Sequence, residues 1–150
     1  MIWTAETIRQ RRPLSPIIER TLAHGMSGGM SAHGYDIHIG QDVHMWRGDF
    51  ALASSVERFH MPTDCMGVVF NKSTWARSGL FVATTILEAG WNGYLTIEMT
   101  YHGSAPVQIN EGSPIAQIAF YQLDGHVAPY RGKYDDQPNR PVGPIMEAGE

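Results

Sequence analysis

One cysteine in 150 residues, Cys65, has no partner for an internal disulfide and cannot supply the paired thiolates of a zinc ribbon or knuckle. Charge is sparse, at 17% of the chain, and holds no long basic run: 11 Lys and Arg against 15 Asp and Glu leave a net charge of −4. That balance argues against a protein that grips nucleic acid mainly through phosphates. No segment approaches the ~20 apolar residues of a membrane span, and the opening Met1–Glu6 meets charge too early for a secretory leader. The expectation is a soluble, cytoplasmic chain with neither nucleic acid nor membrane as partner. Small anions stay open, because a few cations can converge locally.

What is present suits one turn-dense domain over residues 1–150: 43% hydrophobic residues supply a core, and 16 glycines and nine prolines punctuate it. Thr4 is placed to cap a helix through about Arg12 that Pro13 ends, and Ser15-Pro16 signals a second short helix through Leu22. The stretch HGMSGGMSAHG at 24–34 reads as a glycine-rich loop. Then come short apolar or alternating runs at Tyr35–Ile39, Val43–Trp46, Phe50–Ala53, Gly67–Phe70, Phe81–Thr85, Tyr94–Thr100, Val107–Ile109 and Ile115–Leu123. The connections are too short for a series of βαβ crossovers, so the prediction is an all-β barrel or jelly roll with short N-terminal helices. Residues 129–150, with four prolines, read as a flexible tail.

Three clusters could carry chemistry. In Gly93–Thr100 the alternation sends Leu95, Ile97 and Met99 to one face and Glu98 to the other with Thr96; a closed cavity on that side would raise the Glu98 pKa toward the range of a general base. Asn71–Arg77 crowds Lys72, Ser73, Thr74 and Arg77 into a strand-to-helix turn, an arrangement suited to phosphate, although Ser73 or Thr74 could equally be a plain N-cap. Tyr130–Gln137 mixes aromatic, cationic and amide groups that would order on a nucleotide. Trp91 sits in a tight turn just before the Glu98 strand. His33, His38 and His44 lack the HExxH spacing and a cysteine pair, and read as hydrogen-bonding or surface residues.

Taken together, AHGYDIHIG (32–40), NKSTWARSGL (71–80), ILEAGWNGYLTIEM (86–99), EGSPIAQIAF (111–120) and PYRGKYDDQ (129–137) resemble the dCTP deaminase branch of the dUTPase-like superfamily. Each string alone is weak; five in family order are specific. The resemblance implies a distorted β-barrel or jelly roll, assembled as a homotrimer with active sites between subunits. It places the phosphate segment on Lys72, Ser73, Thr74, Trp75, Ala76 and Arg77, the catalytic glutamate on Glu98, and main-chain contacts to the base on Thr96 and Ile97. Further nucleotide contacts fall on Glu88, Trp91, Gln117, Tyr130, Lys133 and Gln137.

The implied reaction is hydrolytic deamination of dCTP to dUTP, with 5-substituted cytosines a conceivable extension. Glu98 would move the protons, Ser73 and Arg77 would position water and glutamate, and the tail at 129–150 would close over the site. Mg²⁺ would arrive on the triphosphate; no protein-held metal is expected, because the zinc of other cytidine deaminases needs a cysteine pair. The chain departs from the family pattern at Glu88, where an aspartate is usual, at Lys72, where an arginine is, and at Trp75, where a smaller aliphatic residue is. Two alternatives are a bifunctional or dUTPase-like pyrophosphatase yielding dUMP and, least favoured, a nucleotide sensor without turnover.

Overall fold

The computed structural model describes residues 1–148. Thr4 caps α1 (Ala5–Arg11) by accepting the Thr7 N–H on its hydroxyl, and Arg12 ends the helix in the left-handed region before Pro13. The rest is mostly strand: β1 (Leu14–Ser15), β2 (Thr21–Ala23), β3 (Met26–Met30), β4 (Tyr35–His38), β5 (Val43–Met45), β6 (Phe50–His60) and β7 (Cys65–Asn71) precede a short helix, α2 (Ser73–Arg77). After it come β8 (Leu80–Val82), β9 (Thr85–Leu87), β10 (Asn92–Tyr101), β11 (Val107–Ile109) and β12 (Pro114–Gln122).

Every strand pair is antiparallel. One sheet has the order β2-β3-β4-β12-β7-β9, a second β1-β6-β10-β8, and β11 pairs with β5 as a ribbon. The sheets curl into a half-barrel around Tyr35, Ile37, Ile39, Phe59, Ile97, Met99, Ile118 and Phe120, all buried. Cys65 lies in the same core, and burial pushes its thiol up to about 12, which leaves it unreactive.

The two larger sheets meet where β4 crosses β6. Gly40 donates its N–H to the Ser54 carbonyl, and Ile39 bridges Ser55. The fully buried Glu57 sits at this crossing: its carboxylate accepts from the His38 N–H at 3.0 Å and the Tyr35 hydroxyl at 3.0 Å, and lies 2.6 Å from His38 Nδ1. Opposite, residues 55–57 of β6 stand against Leu95 alone of β10 between the pairs Tyr94–Arg58 and Thr96–Ser54, a bulge in β6. Ser55 holds it: its hydroxyl donates to the Glu57 carbonyl at 2.6 Å and accepts the Leu95 N–H at 2.9 Å.

Two expectations fail in the N-terminal third. There is one N-terminal helix, because Leu14 is drawn into the core opposite Phe59 and the segment from Ser15 onward enters strands or irregular chain, with a cis Ser15–Pro16 bond. A capping signal is a weak prior against such pairing. Within the glycine-rich 24–34 segment, read as a loop, Met26–Met30 form strand β3, and only the flanking residues 24–25 and 31–34 are turn or irregular chain. Gly29 has φ +75°, and a Cβ there would lie 2.5 Å from the carbonyl oxygens of Ile18 and Glu19, so this glycine marks a close backbone approach. The run at 81–85 also divides: β8 pairs with β10 and β9 with β7, as the chain changes sheets.

Replacing Glu57 by Ala orphans two buried donors on His38 and Tyr35 and the His38 ring nitrogen. The expected loss is at least about 3 kcal/mol of unfolding free energy, read from denaturant titration, with little loss from a distant exposed substitution such as Glu111→Ala.

Candidate functional site

Alternation along β10 turns Ile97 and Met99 into the core and Glu98 outward, into a cleft of about 530 Å³. Leu95 and Thr96 both line it, because the bulge opposite them interrupts the strict alternation. Phe50, Leu52, Leu87 and Trp91 add apolar walls, while Glu88 lies exposed at the rim. Glu98 is half-buried, and burial raises its carboxyl above the usual value, with its own backbone N–H opposing part of the shift. Among the described residues the two glutamates are the only charged side chains lining the cleft.

The other wall is the C-terminal segment. Tyr130 donates its N–H to the Ala89 carbonyl, Trp91 Nε1 donates to the Tyr134 carbonyl at 2.6 Å, and Tyr94 donates its N–H to the Gln137 carbonyl at 3.0 Å. Thr96 Oγ1 donates to Gln137 Oε1 at 2.8 Å. Gly93 makes room for this: at φ +135° it carries no side chain where a Cβ would stand 2.5 Å from the Gln137 nitrogen. Lys133 is exposed, with Nζ 3.9 Å from Glu147.

The remaining residues singled out from the sequence lie elsewhere. Lys72, Ser73 and Gln117 line a second, polar pocket of about 290 Å³ with Asn71 and Asp36. Lys72 Nζ is 2.7 Å from Asp36 Oδ2 in a buried ion pair, so its charge is already matched. Lys72 is also the N-cap of α2, without a side-chain cap bond, and Ser73 and Thr74 are inside the helix instead of capping it. Their hydroxyls and the Arg77 guanidinium face solvent, and Arg77 has no ion-pair partner among the described residues. Trp75 Nε1 donates to the Pro114 carbonyl at 2.7 Å, and Ala76 donates its N–H to the Lys72 carbonyl.

A single chain therefore brings Glu88, Trp91, Thr96, Glu98, Tyr130 and Gln137 to one cleft and leaves Lys72, Ser73 and Gln117 at another. Ile97 has its side chain in the core and its backbone in the ladder opposite Ala53. Sequence reasoning missed Asp36, whose signal was a carboxylate inside a run, YDIH, that is buried throughout, and the Tyr35–His38–Glu57 cluster, which spacing alone does not join. Among the described residues no group of three or more His, Cys, Asp or Glu side chains converges as a metal site.

The family model described as dCTP deaminase-like matches residues 9–123, the strands but not the C-terminal wall. A dCTP deaminase of Campylobacter fetus is 32% identical over an alignment covering 90% of this chain and 91% of that protein, and one of Nautilia profundicola is 30% identical over 91% of each. Two solved structures share the fold. The 2'-deoxycytidine 5'-triphosphate deaminase of Agrobacterium tumefaciens has a TM-score of 0.66 at 16% identity, over 79% of this chain and 47% of that one. A mutant dUTPase from phage phi11 of S. aureus, described with the coordination of a structural Mg(II) ion, has a TM-score of 0.58 at 17% identity, over 81% of this chain and 97% of that one.

The burial of Glu98 has a stability consequence with a fixed sign. Its folded pKa lies above the unfolded value, so its contribution is fully present below the unfolded pKa and is lost as pH rises through the folded pKa. Glu98→Gln, which stays neutral, should raise the melting temperature at neutral pH, and the gain should vanish in acid where the carboxyl is protonated in both states. A gain independent of pH would contradict this.

Proposed function

The chain belongs to the dCTP deaminase-like family, and from that premise we propose that it deaminates dCTP hydrolytically to dUTP and ammonia, in the cytoplasm, with Glu98 as the proton carrier. The observation that carries the reading is a half-buried carboxylate with a raised pKa in a cleft of nucleoside size and apolar wall. In its ionised form Glu98 takes a proton from water as the water oxygen bonds to C4 of cytosine, and passes it to N3. The second water proton then travels by the same carboxylate to the exocyclic amine. The C4–N4 bond breaks, ammonia leaves, and the oxygen remains as the uracil carbonyl. Thr96, the Ile97 main chain, Gln137 and the rings of Trp91 and Tyr130 hold the base and sugar in this scheme.

The phosphates need cations, and among the described residues the cleft offers two glutamates and no cation of its own. The unpaired Arg77 and the hydroxyls of Ser73 and Thr74 face solvent on α2. A second copy of the chain resolves this: its α2, with Lys72, Ser73, Thr74 and Arg77, covers the cleft of the first, giving a homotrimer with sites between subunits. Phe50 and Ile86, exposed at 64% and 55% on the cleft margin, gain cover in the same step. Lys72, with its charge matched by Asp36, sets the start of α2, and Lys133 is a further phosphate cation once it leaves Glu147. Mg²⁺ enters as part of the substrate, carried by the triphosphate. Among the described residues the carboxylates are too dispersed to cage it, and a Mg²⁺ site of this kind leaves much of the coordination to phosphate and water. Closure of the tail from residue 129 over the bound nucleotide, with Tyr130, Lys133 and Gln137 on the ligand, excludes bulk water.

A second reading has one specific observation behind it. Glu88 lines the same cleft as Glu98, and a carboxylate there could direct water at the phosphate chain, giving dUMP and pyrophosphate. Chromatography of the products from dCTP, 5-methyl-dCTP and dUTP separates the two reactions.

Purified protein should release ammonia from dCTP, and Glu98→Gln should lower kcat by about 10²- to 10⁴-fold. In the wild type, kcat/KM should fall with acid along a limb above the ordinary carboxylate range, because the base form is lost as pH drops through the raised pKa. Wild-type activity in Glu98→Gln would refute the assignment. The shared site is checked by mixing: Glu98→Ala and Arg77→Ala chains, each inactive alone, should recover roughly a quarter of the activity when co-assembled at random. No recovery would place both groups in one protomer's site.

A further inference from the structure

The last described residues occupy groups that a nucleotide would need. Thr96 Oγ1 donates its hydrogen to Gln137 and accepts the Val142 N–H at 3.0 Å, so its hydroxyl is engaged on both sides by the chain's own C-terminal segment. Tyr134 accepts the Ile145 N–H on its hydroxyl at 3.0 Å. Glu147 approaches the Lys133 ammonium, and Val142, Gly143 and Pro144 line the cleft that holds Glu98. The segment therefore offers an N–H to the Thr96 hydroxyl, apolar surface to the cleft and a carboxylate to a lysine. A nucleotide seated there would present the same three chemistries through sugar or base, ring and phosphate.

We infer that residues 141–147 are a built-in competitor for the nucleotide: they hold the cleft's polar groups in the free protein and must leave before substrate binds. The inference rests on the reading of the cleft as a cytosine-nucleotide site. It differs from closure of the tail over substrate, because closure would add contacts to the bound state whereas this segment removes them. Lys133 and Glu147 are too exposed to hold it alone, and the two main-chain N–H bonds to Thr96 and Tyr134 supply the rest. With two net hydrogen bonds and one weak ion pair released, apparent affinity is reduced in proportion to the undocked fraction.

The test keeps the full chain. Val142→Pro deletes the N–H that Thr96 accepts, directly after Pro141 where extended backbone already holds, and Glu147→Gln removes the ion pair. In a Glu98→Gln background, so that no substrate is consumed, the added pair of substitutions should tighten MgdCTP binding by about tenfold in calorimetric titration. In the otherwise wild-type chain KM should fall in parallel. As a second readout, MgdCTP should accelerate amide hydrogen exchange at Val142 and Ile145 in the unaltered protein. Unchanged or weaker binding, or slower exchange at those amides, overturns the competition. Absence of MgdCTP binding to either chain overturns the nucleotide reading of the cleft and the competition with it.

Discussion

The register of β10 against β6 is the constraint on which the rest of the site depends. A one-residue slip would turn Glu98 into the core and Ile97 into the cleft. The bulge of β6 opposite Leu95 and Thr96 keeps that phase, and it is held from behind by Ser55, whose hydroxyl links the Leu95 N–H to the Glu57 carbonyl. Glu57 in turn is anchored across the sheet junction to Tyr35 and His38. A buried polar cluster remote from the cleft thus sets the position of the carboxylate that the proposed chemistry uses, and its members carry desolvation costs that only full hydrogen bonding offsets.

Charge is segregated in this chain. The cleft holds two carboxylates, while Arg77 and the hydroxyls at 73 and 74 stand on a separate, exposed turn. In isolation a cleft of that sign would repel a triphosphate. In the proposed trimer, joining α2 of one copy to the cleft of another would turn two half-sites into one that balances charge, and would give the exposed apolar margin a partner. The glutamate would then be further desolvated, which strengthens the shift that burial in one chain already imposes.

Most of the strand pattern was legible because alternation and turn residues act locally: β4, β5, β7, β10, β11 and β12 fall close to the runs read from the sequence. The failures have tertiary causes. Leu14 is claimed by the core although Ser15-Pro16 signals a helix, and Gly29 is required by the approach of the Ile18–Glu19 backbone although glycine-rich text reads as loop. At the site, the placement of Glu98 on the face opposite Ile97 followed from period two. Pairing of Lys72 with Asp36 did not, since it joins residues 36 positions apart in sequence, one in β4 and the other at the start of α2. The contact of residues 142–145 with Thr96 and Tyr134 was equally illegible: its donors are backbone N–H groups, which every residue but proline possesses.

The most direct measurement is a crystal structure of the Glu98→Gln protein with MgdCTP. The account predicts the cytosine in the cleft with C4 within reach of the side chain at position 98, directly or through one water, and the phosphates against Arg77 and Ser73 of a neighbouring copy. A base bound away from position 98, or phosphates held entirely by the copy that binds the base, would contradict it.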